Sequence, residues 1–180
     1  MVDSNHLRLG ALVMVLVAAT WADLARRKIY NPITYAGMGL GLGLAAGDAL
    51  FSKSVNPALS ALVGMALGLG VFAIPYFLGW LGGGDVKLMG AIGSLVAPVY
   101  GPFFLMRVIF YSSLAGCCMA LVVLIWEGRF LAGLKRAMWP FARPKAPPPG
   151  EPGTTTIPYG VAIVVGTVTT IVLTTLVKKP

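Results

Sequence analysis

Residues 57–80 read PALSALVGMALGLGVFAIPYFLGW and contain no charged side chain. A helix rises about 1.5 Å per residue, so about 20 apolar residues cross the roughly 30 Å hydrocarbon core of a bilayer. This stretch is long enough, and further apolar runs lie on either side of it at 7–26, 33–51, 86–99, 102–126 and 158–177. The uncharged part of the first run is only 9–22, so its helix is expected to continue into polar sequence at both ends. The fourth run is short. It would suit a broken hairpin with the fifth, bent around Pro98, Gly101 and Pro102, because proline lacks an N–H and disrupts a helix. The fold expected is all-α: one polytopic bundle over 1–180 with about six transmembrane helices, and a basic, proline-rich connection at 127–157 inside it.

Composition agrees. Of the 180 residues 57% are hydrophobic and 11% charged, against about 25% charged in soluble domains. A cleaved signal peptide is the rival reading of the first run, with Thr20-Trp21-Ala22 as a weak cleavage site; the region before it, where Asp3 offsets Arg8, argues against that. A net charge of +8 in a soluble protein suggests nucleic acid. Here its distribution gives another account. The first connection carries Arg26, Arg27 and Lys28, the third Lys87, and the fifth Arg129, Lys135, Arg136, Arg143 and Lys145. The second carries only Lys53 and the fourth none. The positive-inside rule then puts the odd connections in the cytoplasm and both termini outside, with the bilayer and no nucleic acid as partner. Arg107 falls near the outer end of the fifth run, where it can snorkel to the interface.

Several features point to packing. Gly37 and Gly41, Gly39, Gly43 and Gly47, and Gly64 and Gly68 each repeat at four-residue spacing, the stripe that lets helices approach closely in lipid. Cys117 and Cys118 are adjacent, which suits neither a zinc site nor a redox pair, and they are expected to be small buried hydrophobes. His6 is the only histidine and falls in a terminal tail, so no histidine triad or multi-histidine metal site is available, and no metal or cofactor is expected. Residues 130–141 suit a short basic amphipathic helix on the membrane surface, and 140–152 a proline-rich linker.

The chain has six carboxylates: Asp3, Asp23, Asp48, Asp85, Glu127 and Glu151. Asp3 and Glu151 lie in the tail and the linker, Asp48 at the outer end of the second run, and Glu127 at the end of the fifth beside Gly128; Asp23 and Asp85 each lie within a turn or so of an apolar run and map to the expected cytoplasmic side. An ionisable group at such a position is a functional candidate. Each also has a structural explanation: Asp85 as the N-cap of the fourth helix, Asp23 as the partner of Arg26 or Arg27 along its own helix. The pair offers more. Two unit charges about 4 Å apart repel by about 4 kcal/mol at an effective dielectric near 20, about three pKa units. Such a pair shares one proton near neutral pH. The ionised member can take a proton from water while the other polarises a carbonyl and protonates the leaving amine. Gly82, Gly83 and Gly84 before Asp85 would permit positive φ and the close approach of an extended peptide. Lys87 would favour an ionised carboxylate or anchor its helix. A phosphate loop is excluded by the missing P-loop spacing.

Gly82-Gly83-Gly84-Asp85-Val86-Lys87-Leu88 resembles the GxGD motif of the type IV prepilin peptidases. Asp23, followed by Arg26-Arg27-Lys28-Ile29-Tyr30-Asn31, resembles that family's first catalytic aspartate and its downstream Ile-Pro-Asn, with Tyr30 where proline is usual. Ile157-Pro158-Tyr159-Gly160-Val161-Ala162-Ile163 resembles the opening of its last helix. The resemblance implies an aspartic endopeptidase of the bacterial inner membrane that cuts prepilins and pseudopilins on the cytoplasmic side, after a glycine and just before the hydrophobic pilin helix. Asp23 and Asp85 would be the catalytic pair, Gly82 and Gly84 the motif glycines, and Lys87 and Asn31 supporting residues. The short length is most similar to the subgroup serving Flp-type pili and tight-adherence secretion, the TadV and CpaA proteins, which implies the pilus assembly machinery as a further partner. The cysteine-bearing cytoplasmic domain that accompanies N-methylation in longer members has no counterpart here, so the resemblance does not extend to methyl transfer. Two other classes remain open: a small transporter or channel with the same aspartates as ion sites, and an assembly scaffold.

Overall fold

A computed structural model describes residues 4–126, 128 and 159–177. Six helices form the bundle: α1 (Ser4–Arg26), α2 (Asn31–Ser52), α3 (Asn56–Phe77), α4 (Gly83–Tyr100), α5 (Pro102–Trp126) and α6 (Tyr159–Val177). In hydrocarbon no water can satisfy a bare N–H or C=O, so an apolar run this long settles as a helix whose backbone bonds are internal. α1, α3, α5 and α6 are long and apolar enough to cross a membrane. Large apolar side chains such as Phe51, Phe77, Phe103 and Trp126 point outward, as lipid contact requires. The helices of the expected bundle are thus present. The connection at 127–157, with its amphipathic and proline-rich parts, lies outside the described residues apart from Gly128.

α4 is the axis of the molecule. The short fourth run is not half of a broken hairpin. It packs against each of the other helices, and every residue from Leu88 to Ala97 is buried. Pro98 sits in its last turn without ending it; the chain breaks at Gly101, whose φ is +84°, and α5 starts at Pro102.

Helix contact explains half of the glycine pattern. A Cβ on Gly64 would collide with the Gly93 carbonyl and one on Gly68 with the Met89 carbonyl, so α3 and α4 touch backbone to backbone. Gly37 and Gly41 of α2 also lie against α4, where an added Cβ would meet the side chains of Ala91 and Ser94. Gly39, Gly43 and Gly47 have nothing within 4 Å of the position a Cβ would take. Cys117 and Cys118 are free and exposed on α5 rather than buried. His6 belongs to the start of α1, not to a tail.

Arg8 is the least expected core residue. It is 1% exposed and its Nη2 donates to Asp48 Oδ2 at 2.7 Å, tying α1 to the far end of α2. Nε and Nη1 find no hydrogen-bond partner among the described residues. Removing the carboxylate strands a buried cation, so Asp48→Ala is expected to destabilise the bundle by about 1–3 kcal/mol, read as a lowered unfolding midpoint in detergent. An unchanged midpoint would show that water or headgroups already solvate Arg8.

Candidate active site

Asp23 lies in the last turn of α1 and is 5% exposed. The helix stops just beyond it. Arg27 takes a φ of +49° and its N–H bonds the Asp23 carbonyl oxygen at 2.7 Å. Lys28, Ile29 and Tyr30 then lead into α2, which carries a proline in its first turn. Tyr30 has φ −80° and ψ 139°, a backbone that proline could share, so the turn survives the substitution. Its hydroxyl accepts from Arg26 Nη1 at 3.0 Å. Among the described residues the only ion pair is Arg8–Asp48, so neither Arg26 nor Arg27 neutralises Asp23.

Asp85 reaches the same end of the bundle from the other direction. α3 closes in a Schellman motif, three residues short of the expected end: Gly79 has φ +76°, the Trp80 N–H bonds the Pro75 carbonyl and the Gly79 N–H the Tyr76 carbonyl, both at 2.9 Å. After this turn Gly82 caps α4. Asp85 is not itself the N-cap. It stands three residues on, and its Oδ2 accepts the Gly82 N–H at 3.2 Å. Gly82, Gly83 and Gly84 are absent from the positive-φ residues. The requirement for glycine is close approach instead: a Cβ on Gly84 would stand 2.9 Å from both Cβ and O of Ile29.

The two aspartates line one cleft of about 350 Å³. Gly82, Gly84, Asn31 and Lys87 line it too, together with Arg27 and Lys28. All six candidate residues are therefore brought together. Lys87 does not bond Asp85. Its Nζ donates to Asn31 Oδ1 at 2.8 Å and lies 4.9 Å from the centroid of the Tyr35 ring, which ties the start of α4 to the start of α2. Asp85 is half-buried, ahead of the apolar run 86–99 and outside the four spans. Burial first, and then the negative charge of Asp23, push its carboxyl up to about 6, against the opposing Gly82 N–H.

Two contributors carried no assigned role in the sequence. The backbone amides of Gly160 and Val161, in the first turn of α6, face the Asp23 carboxyl. A Cβ on Gly160 would stand 2.7 Å from Asp23 Oδ2, a buried oxygen with no hydrogen-bond partner among the described residues. Both residues belong to the 157–163 segment, so the signal was present as a motif without a function.

These features define a polytopic helical membrane protein with two carboxyl groups, from different helices, in one polar cleft at the bundle end. Residues 10–124, nearly two-thirds of the chain, match the model of the type IV leader peptidase family, and the chain belongs to that family. It is accordingly a leader peptidase whose substrates are prepilins. No curated protein and no solved structure matches the chain.

Proposed function

We propose that this chain is an aspartic endopeptidase that removes the leader of Flp-type prepilins at the cytoplasmic face of the bacterial inner membrane, with Asp23 and Asp85 as the catalytic pair. The observation that carries the reading is the shared cleft: the two carboxylates most exposed to the cost of the bilayer line the same space. The unpartnered Asp23 oxygen is an acceptor that a nucleophilic water can use. In this mechanism the ionised member of the pair takes a proton from water as the oxygen attacks the carbonyl carbon of the substrate glycine. The protonated member donates to the carbonyl oxygen. Collapse of the tetrahedral species breaks the C–N bond, and the amine leaves with a proton from the pair. The proton belongs to the pair and not to either residue.

The cytoplasmic assignment follows from Arg26, Arg27, Lys28 and Lys87 at the cleft end of the bundle. A transport pathway is not favoured, because its ionisable groups should be spread through the depth of the membrane, and these two sit together. The TadV and CpaA subgroup is part of this proposal, and methyl transfer lies outside the proposed activity.

Co-expression with Flp-type and longer type IV prepilins tests the substrate assignment. Processing is expected for the Flp-type prepilin, with the new N-terminus directly after a glycine; processing of only the longer prepilins would move the chain to another subgroup. The pair also sets a pH dependence. The pair must hold its shared proton, and with the Asp85 carboxyl pushed up to about 6 that proton is lost as pH rises through that value. For the free enzyme kcat/KM should therefore fall about tenfold per unit above that pH. A profile flat from pH 5 to 9 contradicts a shared proton.

A further inference from the structure

Three separate parts of the chain meet on one aliphatic side chain. Ile29 lies between α1 and α2 and is 6% exposed, although it lines the polar cleft. Its Cβ and carbonyl oxygen lie against Gly84, the residue before Asp85, with 2.9 Å left to an added Cβ. Its Cδ1 reaches Gly160, where an added Cβ would have 3.0 Å. Gly160 in turn lies against the Asp23 carboxyl. One face of Ile29 thus bears on the chain that presents Asp85 and the other on the residue that covers Asp23. Both contacts are made to glycines, so no flexible side chain intervenes to absorb a shift. A β-branched residue adds stiffness, because its χ1 is restricted.

We propose that Ile29 is a positioning residue for peptide hydrolysis: wedged between Gly84 and Gly160, it sets the separation of the Asp23 and Asp85 carboxyl groups. The proposal rests on the aspartic peptidase reading above. Ile29 has no group that can bond water or peptide, so its influence is on geometry alone. A displacement of about 1 Å in a catalytic constellation can cost about 100-fold in rate.

The test is steady-state cleavage of a prepilin by the purified full chain in detergent or liposomes, with folded protein quantified by thermal unfolding. Ile29→Ala is expected to lower kcat per folded enzyme by about 10–100-fold with KM within about twofold, since only the reacting groups are displaced. The alkaline limb of its pH profile should move to higher pH, because with the wedge shortened the two carboxyl groups can approach and repel more. Both variants keep the Cβ and carbonyl oxygen that lie against Gly84; Ile29→Val loses only the Cδ1 that reaches Gly160 and keeps both Cγ atoms as part of the wedge, so it should fall between wild type and Ile29→Ala. Gly160→Ala presses on the same contact from the other side and should move the same limb with Ile29 intact. A purely structural role predicts a loss that follows the amount of folded protein and an unmoved pH limb, and that result overturns the proposal. If the wild-type chain cleaves and Ile29→Ala matches it, positioning by Ile29 is wrong while the peptidase reading stands. If wild type cleaves no prepilin, both fall.

Discussion

Asp85→Asn is expected to slow prepilin cleavage by about 10²–10⁴-fold, the range for losing a positioned acid or base, and Asp23→Asn to have an effect of the same size. Neither change should unfold the protein. An asparagine oxygen can still accept the Gly82 N–H that Asp85 Oδ2 now takes at 3.2 Å, so the cap of α4 is kept. At position 23 the amide replaces a carboxyl that is buried without a neutralising cation. Both substitutions remove a like-charge pair, so the variants should be as stable as wild type or more so. The double variant is the sharper part of the prediction. Residues that act as a unit give strongly non-additive losses, so it should be little slower than either single variant. Rates measured on purified variants of equal folded content give all three values. A double variant slowed by the product of the single losses would mean that the aspartates act independently.

Gly93→Leu is expected to prevent assembly of the bundle. Gly93 faces Gly64 across the α3–α4 contact, and an added Cβ would run into the Gly64 carbonyl group. A backbone carbonyl inside a helix cannot rotate away as a side chain can. The helices must separate, and α4 is the element that contacts all the others and presents Asp85. Overpacking of a tight core costs about 1–3 kcal/mol and occasionally more. A leucine against backbone at the centre of the molecule belongs at the top of that range, on the order of 3 kcal/mol or above. Gly43→Leu is the control, since nothing lies within 4 Å of its missing Cβ. Size-exclusion profiles and thermal unfolding in mild detergent should show aggregated Gly93→Leu beside monodisperse Gly43→Leu. Equal behaviour of the two would remove the α3–α4 contact as the organising feature.

The helices were legible because hydrocarbon leaves so little choice. The run at 57–80 had to be helical, and α3 departs from it only at its end, where Gly79 permits the left-handed turn. The role of α4 was not legible. Its run is short and contains Pro98, and sequence does not reveal that a short apolar helix is enclosed by longer ones. Arg8 was misjudged for a similar reason: as a charge near the N-terminus it reads as tail, and its partner Asp48 lies forty residues away. Gly37 and Gly39 look alike in sequence. Which of them faces a neighbour depends on the rotation of α2, a tertiary property.

The site shows the same division. Asp23 and Asp85 stood out because charge is scarce here and each stands at the end of an apolar run, Lys87 because it lies two residues past Asp85, and Gly82 and Gly84 as part of the glycine run; Asn31 was picked out only by the resemblance to the family's motif. The reason for the glycines was not legible. A run of three suggested positive φ, whereas the chain uses positive φ at Gly79 and spends Gly84 on contact with Ile29. The share of α6 in holding Asp23 could not be inferred from composition, because Gly160 and Val161 act through backbone amides.

The most direct measurement is mass analysis of the products when the purified chain, alone in liposomes, is mixed with a purified Flp-type prepilin. The account predicts two products from a single cut after glycine, formed by wild type and by neither Asp23→Asn nor Asp85→Asn on the same timescale. A wild-type chain that is folded and inserted yet leaves the prepilin intact, or an aspartate variant that cuts it at the wild-type rate, would contradict the account.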